Sequence, residues 1–504
     1  MEDRKSIVLV TVDCLRADHC GFMGYGRPTT PFLDRLAQES FVFPAAIVAG
    51  VPTYYSAPAI LASRFPMEFG REVVGLGVGE RNLASVLNES GYATAFFGAG
   101  NPYLSPRFGY DFGFDTFVDF LNESLPSASD FVPASASGLP WAGRVNRALN
   151  KMSHKVAPLG AVYDEIYFQY CQRWAAPTAG SLDCLRRFPS ADVIVDRAAN
   201  WLVSVEGRPF FLWLHLMDPH SPYYPKAKGQ ELLEENPVSA ARARYVNACW
   251  SRSDIGPRRL RRYRDDIIAL YDAGVRWVDV QIERLFEILR GAQLWERCIF
   301  ALTADHGEEF LEHESRHHPP ASLAEELIHV PLVVRVPGAE KKELSKAPFS
   351  LLDLAPTLLD AADLPVPTEF EGHSRWTHMC ERKTWSDPAI AECISGCTNP
   401  FRPAMRRGPR ILAVREERYK LVWNFENSSE KLFDLARDPA ERAPLPNQVA
   451  KAERRCLLEA AAQHLRKPRR KASEAYVRTR LRDIELDLAS SLSPAAANYA
   501  GRAK

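Results

Sequence analysis

Two uninterrupted apolar stretches, far apart in the chain, each stop at residues able to bind a cation. Ser6-Ile-Val-Leu-Val-Thr-Val ends at Asp13, and Cys298-Ile-Phe-Ala-Leu-Thr-Ala ends at Asp305-His306-Gly307-Glu308. Runs of this length, rich in Val and Ile, read as strands covered on both faces. Open parallel sheets bind their ligands beyond the carboxyl ends of the strands. An Asp at one strand end and an Asp-His pair at another can therefore meet on one divalent cation, which accepts oxygen and imidazole ligands.

A chain of 504 residues exceeds one ordinary core and predicts a large α/β domain with an appendage. Hydrophobic residues at 46% and charged residues at 25% are those of a globular protein. The 63 basic and 63 acidic side chains cancel, which gives no support for a nucleic-acid partner. The first apolar run is too short to span a membrane, and no small-residue cleavage site follows it. No membrane span and a cytoplasmic location are the expectation. The ten Cys are scattered without a CxxC pair, which reads as reduced thiols.

Strand–helix alternation over the first ~120 residues argues for a mostly parallel sheet with helices on both faces. It resumes with a helix near Ala191, a strand over Pro209–Met217, a long amphipathic helix over Arg264–Leu289, and a strand from His329. Residues 121–190 are rich in Ser, Ala and Pro and read as an insertion forming a lid or wall. The expected division is an α/β catalytic domain over 1–370, a small antiparallel-sheet subdomain over 371–448, and a helical basic tail over 449–504.

Four strand ends carry polar residues: Asp13, Asn101, Asp218 with His220, and Asp305 with His306. A lone Asp at such a place is more often a helix cap, whereas four along one sheet edge form a constellation. In Val51-Pro-Thr-Tyr-Tyr-Ser-Ala-Pro58, the proline is expected in the first turn of the following helix. That puts Thr53 and Ser56 at or just before the helix N-terminus, where an anion is favoured. Either hydroxyl could serve as a nucleophile or simply cap the helix.

The opening Ile7-Val-Leu-Val-Thr-Val-Asp13-Cys-Leu-Arg-Ala-Asp, followed by Arg27-Pro-Thr-Thr-Pro-Phe-Leu-Asp, resembles that of sulfatases in the alkaline phosphatase superfamily. So do Asp218-Pro-His220-Ser-Pro-Tyr, Thr303-Ala-Asp305-His306-Gly-Glu-Glu and, near the end, Leu432-Phe-Asp-Leu-Ala-Arg-Asp-Pro. The resemblance implies an alkaline-phosphatase-like α/β fold with a small C-terminal antiparallel subdomain. It implies Asp13, Asp305, His306 and the nucleophile as ligands of a divalent metal ion (Ca, Mg or Mn). His220 would contact the transferring group or protonate the leaving oxygen, Asn101 would stabilise charge, and His317 or His318 would contact the substrate anion.

The chain departs from the family at the nucleophile. Its sulfatases use a Cys or Ser, converted to formylglycine, in a Cys/Ser-x-Pro-x-Arg motif. Here the alignment puts Thr53, Tyr55 and Ala57 at the nucleophile, Pro and Arg positions. No formylglycine is expected, and a plain Thr shifts weight from sulfate toward phosphoryl or phosphonyl chemistry. Cys14 stands at a frequent ligand position, either as a thiolate or unused; Arg16 and Asp18 are supporting or structural. The expected function is a metal-dependent hydrolase of a small-molecule or glycan sulfate or phosphate ester. The rivals are a phosphoryl-group transferase and an inactive binding protein.

Overall fold

The computed structural model describes residues 4–71, 73–121, 152, 157–170, 181–205, 207–340, 344, 346–425 and 427–467. Most of the expected insertion over 121–190, and the tail after 467, lie outside them. A seven-stranded sheet runs Phe41–Val42, Leu332–Arg335, Cys298–Ala304, Ser6–Val12, Phe210–Leu216, Ala93–Gly98, Thr116–Val118. The last five are mutually parallel, and Leu332–Arg335 is antiparallel to both its neighbours. Every residue of the Ser6–Val12, Phe210–Leu216 and Cys298–Ala304 strands is buried. Helices cover both faces, as continuous apolar strands require.

The helix Arg264–Gly291 is the longest of the described elements. Gly274 lets it approach the loop after Phe210–Leu216: a Cβ there would meet the Asp218 carbonyl at 2.7 Å. Asp279, on the same helix, accepts from the Phe32 and Leu33 amides at 3.0 and 2.9 Å and so holds the start of the helix Pro31–Leu36.

Two sequence expectations are corrected. The helix carrying Thr53 spans Thr53–Ala62, so Pro58 lies inside it and not in its first turn. The missing Pro58 amide forfeits one bond. The helix survives because all ten residues are buried and the Tyr55 and Ser56 amides close its start on the Pro52 carbonyl, at 2.7 and 3.2 Å. The stretch from His329 is not one strand. Pro331 splits it: His329–Val330 joins a small sheet with Ala46–Ile47 and Phe349–Ser350, and only Leu332–Arg335 enters the main sheet.

A four-stranded antiparallel sheet follows: Ala389–Ile394, Arg410–Arg415, Tyr419–Asn424, Ser429–Asp434. The helix Lys451–Arg466 packs on it through Leu457 and Ala461, against Leu412, Val414, Leu421 and Leu432.

Trp213 sits at the centre of the main sheet, 1% exposed, and its indole N–H donates to Thr11 Oγ1 at 2.9 Å. Trp213→Ala is expected to destabilise the fold by about 3–5 kcal/mol. Trp213→Phe should cost less, because it keeps most of the volume and loses mainly the hydrogen bond. Urea titration of both variants is the check.

Candidate active site at the carboxyl edge of the main sheet

The parallel register delivers the polar residues to one edge. Thr11 lies beside His215 on one side and Thr303 on the other, and Gly98 also pairs with His215. Asp13 leaves its strand with its amide donating to the Leu216 carbonyl at 2.8 Å. Asp305 and His306 follow the adjacent Cys298–Ala304 strand, and Asn101 follows Ala93–Gly98. Asp13, Asp305 and His306 thus converge, with one ligand atom of each within 4.8 Å of the others.

Geometry and burial suit a divalent cation. His306 Nδ1 faces the Gly307 carbonyl at 2.8 Å, so it carries the proton and leaves Nε2 as the lone-pair nitrogen. That nitrogen lies 3.3 Å from Thr53 Oγ1, 3.6 Å from Asp305 Oδ2 and 3.7 Å from Asp13 Oδ1. Asp305 Oδ2 is buried and has no hydrogen-bond partner, the arrangement of a carboxylate oxygen reserved for a cation. Its other oxygen accepts from the His306 and Cys14 amides, at 2.9 and 3.4 Å. Gly307 is demanded here, since a Cβ would meet the Glu326 carbonyl at 2.0 Å.

Thr53 is the first residue of its helix, and its hydroxyl does not cap it. The hydroxyl faces His306 and, at 3.5 Å, Asn101 Nδ2. Ser56 instead turns away to donate to the Thr53 carbonyl at 3.2 Å. Asn101 Nδ2 also donates to Asp13 Oδ2 at 2.9 Å.

His215 was not among the residues the sequence singled out. It is fully buried, with Nε2 3.3 Å from Asp13 Oδ2 and Nδ1 2.9 Å from Thr11 Oγ1. A single His within an apolar strand gives no signal beyond core packing. Burial opposes ionisation of Asp13, but the charge of His220 and the hydrogen bond from His215 hold its carboxyl well below the usual range.

Asp218 is a correction. It does not reach the site: it caps the helix Ala191–Val203 at the Ala191 amide, 3.0 Å away, and pairs with Arg186 at 2.7 Å. His220, two residues on, does reach it. Its Nδ1 donates to the Ser221 carbonyl at 2.5 Å, and its ring packs 5.1 Å from that of His318. A cleft of about 480 Å³ opens over the site, lined by Thr53, Asn101, His220, His317 and His318 together with Tyr54, Tyr103, Phe188 and Arg316. Arg16 is structural: it binds Asp18 at 2.6 Å, Glu312 at 2.7 Å and the Glu308 carbonyl at 2.9 Å.

Glu308, missed as a site residue, is fully buried behind His318, with Oε2 3.4 Å from its Nδ1. Burial opposes its charge, yet His318 holds its carboxyl at about 2. Burial, then the Glu308, Asp13 and Asp305 carboxylates, push the Cys14 thiol well up, so the pocket gathers negative charge around it.

Burial pushes the His317 imidazole down to about 4. It is therefore neutral at pH 7. A group that binds fewer protons folded than unfolded adds stability above its unfolded value, roughly 6.5, and loses it as pH falls toward 4. His317→Asn is expected to flatten the decline of the urea midpoint between pH 6.5 and 4; an unchanged slope would contradict the burial argument.

The family model "Sulfatase" matches residues 5–364, and "N-sulphoglucosamine sulphohydrolase, C-terminal" matches residues 319–470. An arylsulfatase of Clostridium perfringens is 25% identical over 90% of this chain and 92% of its own. A multifunctional alkaline phosphatase superfamily protein of Trinickia caryophylli is 23% identical over 89% of this chain and 92% of its own. The phosphonate monoester hydrolase of Agrobacterium radiobacter shares the fold, with a TM-score of 0.63 at 20% identity, covering 92% of this chain and 96% of that one. The chain belongs to the sulfatase family of the alkaline phosphatase superfamily.

Proposed function

We propose that this protein is a metal-dependent hydrolase of sulfate or phosphate and phosphonate esters, with Thr53 as its nucleophile. The observation that carries the reading is the Thr53 hydroxyl, 3.3 Å from His306 Nε2, at a helix start, beside an orphaned Asp305 oxygen. Asp13, Asp305, His306 and Thr53 would hold the cation, of the Ca, Mg or Mn class on the carboxylate and imidazole ligands. A bound cation would polarise the transferring oxygens and favour ionisation of the hydroxyl.

The chain's own residues supply the rest. The helix N-terminus and the Asn101 amide favour negative charge next to Thr53. Thr53 Oγ1 loses its proton to solvent in the cleft and forms the bond to phosphorus or sulfur as the ester bond breaks. The departing oxygen takes its proton from His220 Nε2, the nitrogen left toward the cleft when Nδ1 donates to Ser221. Water then cleaves the Thr53 ester and restores the hydroxyl. Thr53 is no substrate for formylglycine formation, so the sulfate elimination open to that hydrate is closed. Hydrolysis of the covalent ester favours phosphorus over sulfur.

His317 and His318 face the anion from the opposite wall, where residues 371–448 contribute Thr398. We read 1–370 as the catalytic domain and the part after it as closing the cleft. Among the described residues no helix is long and apolar enough to cross a membrane. A cytoplasmic location fits the buried thiols Cys14, Cys20, Cys249, Cys298, Cys393 and Cys397.

Turnover of aryl sulfate, aryl phosphate, a phosphodiester and a phosphonate monoester, with Mg, Mn or Ca added, tests the reading. Thr53→Ala and Asp305→Ala are each expected to lose on the order of 10³-fold or more in kcat/KM. Turnover unaffected by Thr53→Ala would remove it as nucleophile. His215→Ala should weaken metal affinity or activity by about 10–100-fold, through loss of support for Asp13; metal titration separates this from global unfolding.

A further inference from the structure

Cys14 lies at the sheet edge, and the reading above leaves its chemistry unused. Its backbone is left-handed, with φ 63°, an uncommon state for a residue with a Cβ and one that clusters at functional sites. Neighbours hold it there. Tyr271 donates its hydroxyl to the Cys14 carbonyl at 2.7 Å, and the Cys14 amide donates to Asp305 Oδ1 at 3.4 Å. The side chain is fully buried.

The clamp aims Sγ into the ring of cation donors. The thiol donates to Asp13 Oδ1 at 3.1 Å, so a soft sulfur and a hard oxygen share one proton at the separation of two ligands on one ion. Sulfur, a ring nitrogen of His306 and one of His318 lie within 4.8 Å of one another. His318 Nδ1 is 3.4 Å from Sγ and 3.4 Å from Glu308 Oε2, so its single N–H is shared between sulfur and carboxylate. Asp305, whose buried Oδ2 has no hydrogen-bond partner, belongs to the adjoining group with Asp13 and His306. A thiolate selects zinc-class metals, whereas carboxylates alone suit Mg, Ca and Mn.

We propose that Cys14 is a further protein ligand, which makes this a thiophilic, zinc-class metal centre instead of an alkaline-earth one, with His318 donating a hydrogen bond to the thiolate. The inference rests on the cation-site reading above and replaces its choice of metal. As the sulfur–metal bond forms, the S–H proton is released to solvent, so no oxidant or co-reactant is needed.

The test uses the full chain stripped with chelator and reloaded with Co²⁺ as a spectroscopic probe, in wild type and Cys14→Ser. Expected in wild type are cobalt d–d bands together with a near-ultraviolet sulfur-to-cobalt charge-transfer band. Cys14→Ser should keep the d–d bands and lose the charge-transfer band. Its Zn²⁺ affinity should fall on the order of tenfold or more, with Ca²⁺ affinity unmoved. X-ray absorption of the Zn²⁺ form should show one sulfur at about 2.3 Å. Cobalt bound in wild type without a charge-transfer band would overturn the role of Cys14 and leave the cation site standing. No cobalt bound at all, by elemental analysis, would overturn the cation site and this inference with it.

Discussion

The structure turns on one carboxylate kept ionised while fully buried. Asp13 is fully buried at the end of the central strand. An isolated buried charge costs so much that a lone Asp would take a proton. His215, Asn101, His306 and His220 surround it and reverse that preference. Asp305 and Glu308 add negative charge to the same pocket. In the reading proposed above a divalent cation would offset that charge, with the unpartnered Asp305 oxygen as one of its donors.

Sheet order makes that concentration of charge feasible. Ser6–Val12 lies between Cys298–Ala304 and Phe210–Leu216, so segments distant in sequence end side by side. Ser6–Val12 delivers Asp13 and Cys14 at its carboxyl end, and Cys298–Ala304 delivers Asp305 and His306. Backbone bonds, such as the Asp13 amide to Leu216 and the Ala99 amide to His215, fix these ends before any ligand arrives. Preorganisation of this kind lowers the reorganisation that charge transfer to Thr53 would otherwise require. The helix Thr53–Ala62 presents the hydroxyl from a separate layer, held by its buried apolar body despite Pro58.

Support for the site reaches further than the donors. Trp213 donates to Thr11, and Thr11 sits against His215, so a core residue and a polar residue share one hydrogen-bond chain to Asp13. Glu308 stands behind His318, and Tyr271 clamps the Cys14 carbonyl. Each of these residues acts by restricting the side chain in front of it.

Local pattern was enough for the elements built from continuous apolar runs: the three central strands, the helix Arg264–Gly291 and the Arg410–Asn424 hairpin are plain in the sequence. It also marked Asp13, Asn101, His220, Asp305 and His306, since polar residues that end such runs interrupt an apolar periodicity. His215 escaped because a residue inside the run produces no interruption. Asp218 misled because a strand-end Asp has the same appearance whether it turns to a cation or to a helix amide. The strand Ala389–Ile394 was missed because its small residues and buried Glu392 make no alternating pattern. The sequence alone thus determined the family, the kind of sheet and which residue types lie at its edge, because period and strand ends are local properties. Which of those side chains face one another, and that Cys14 aims its sulfur at Asp13, was decided only by tertiary structure, because convergence depends on strand order and side-chain direction across hundreds of residues.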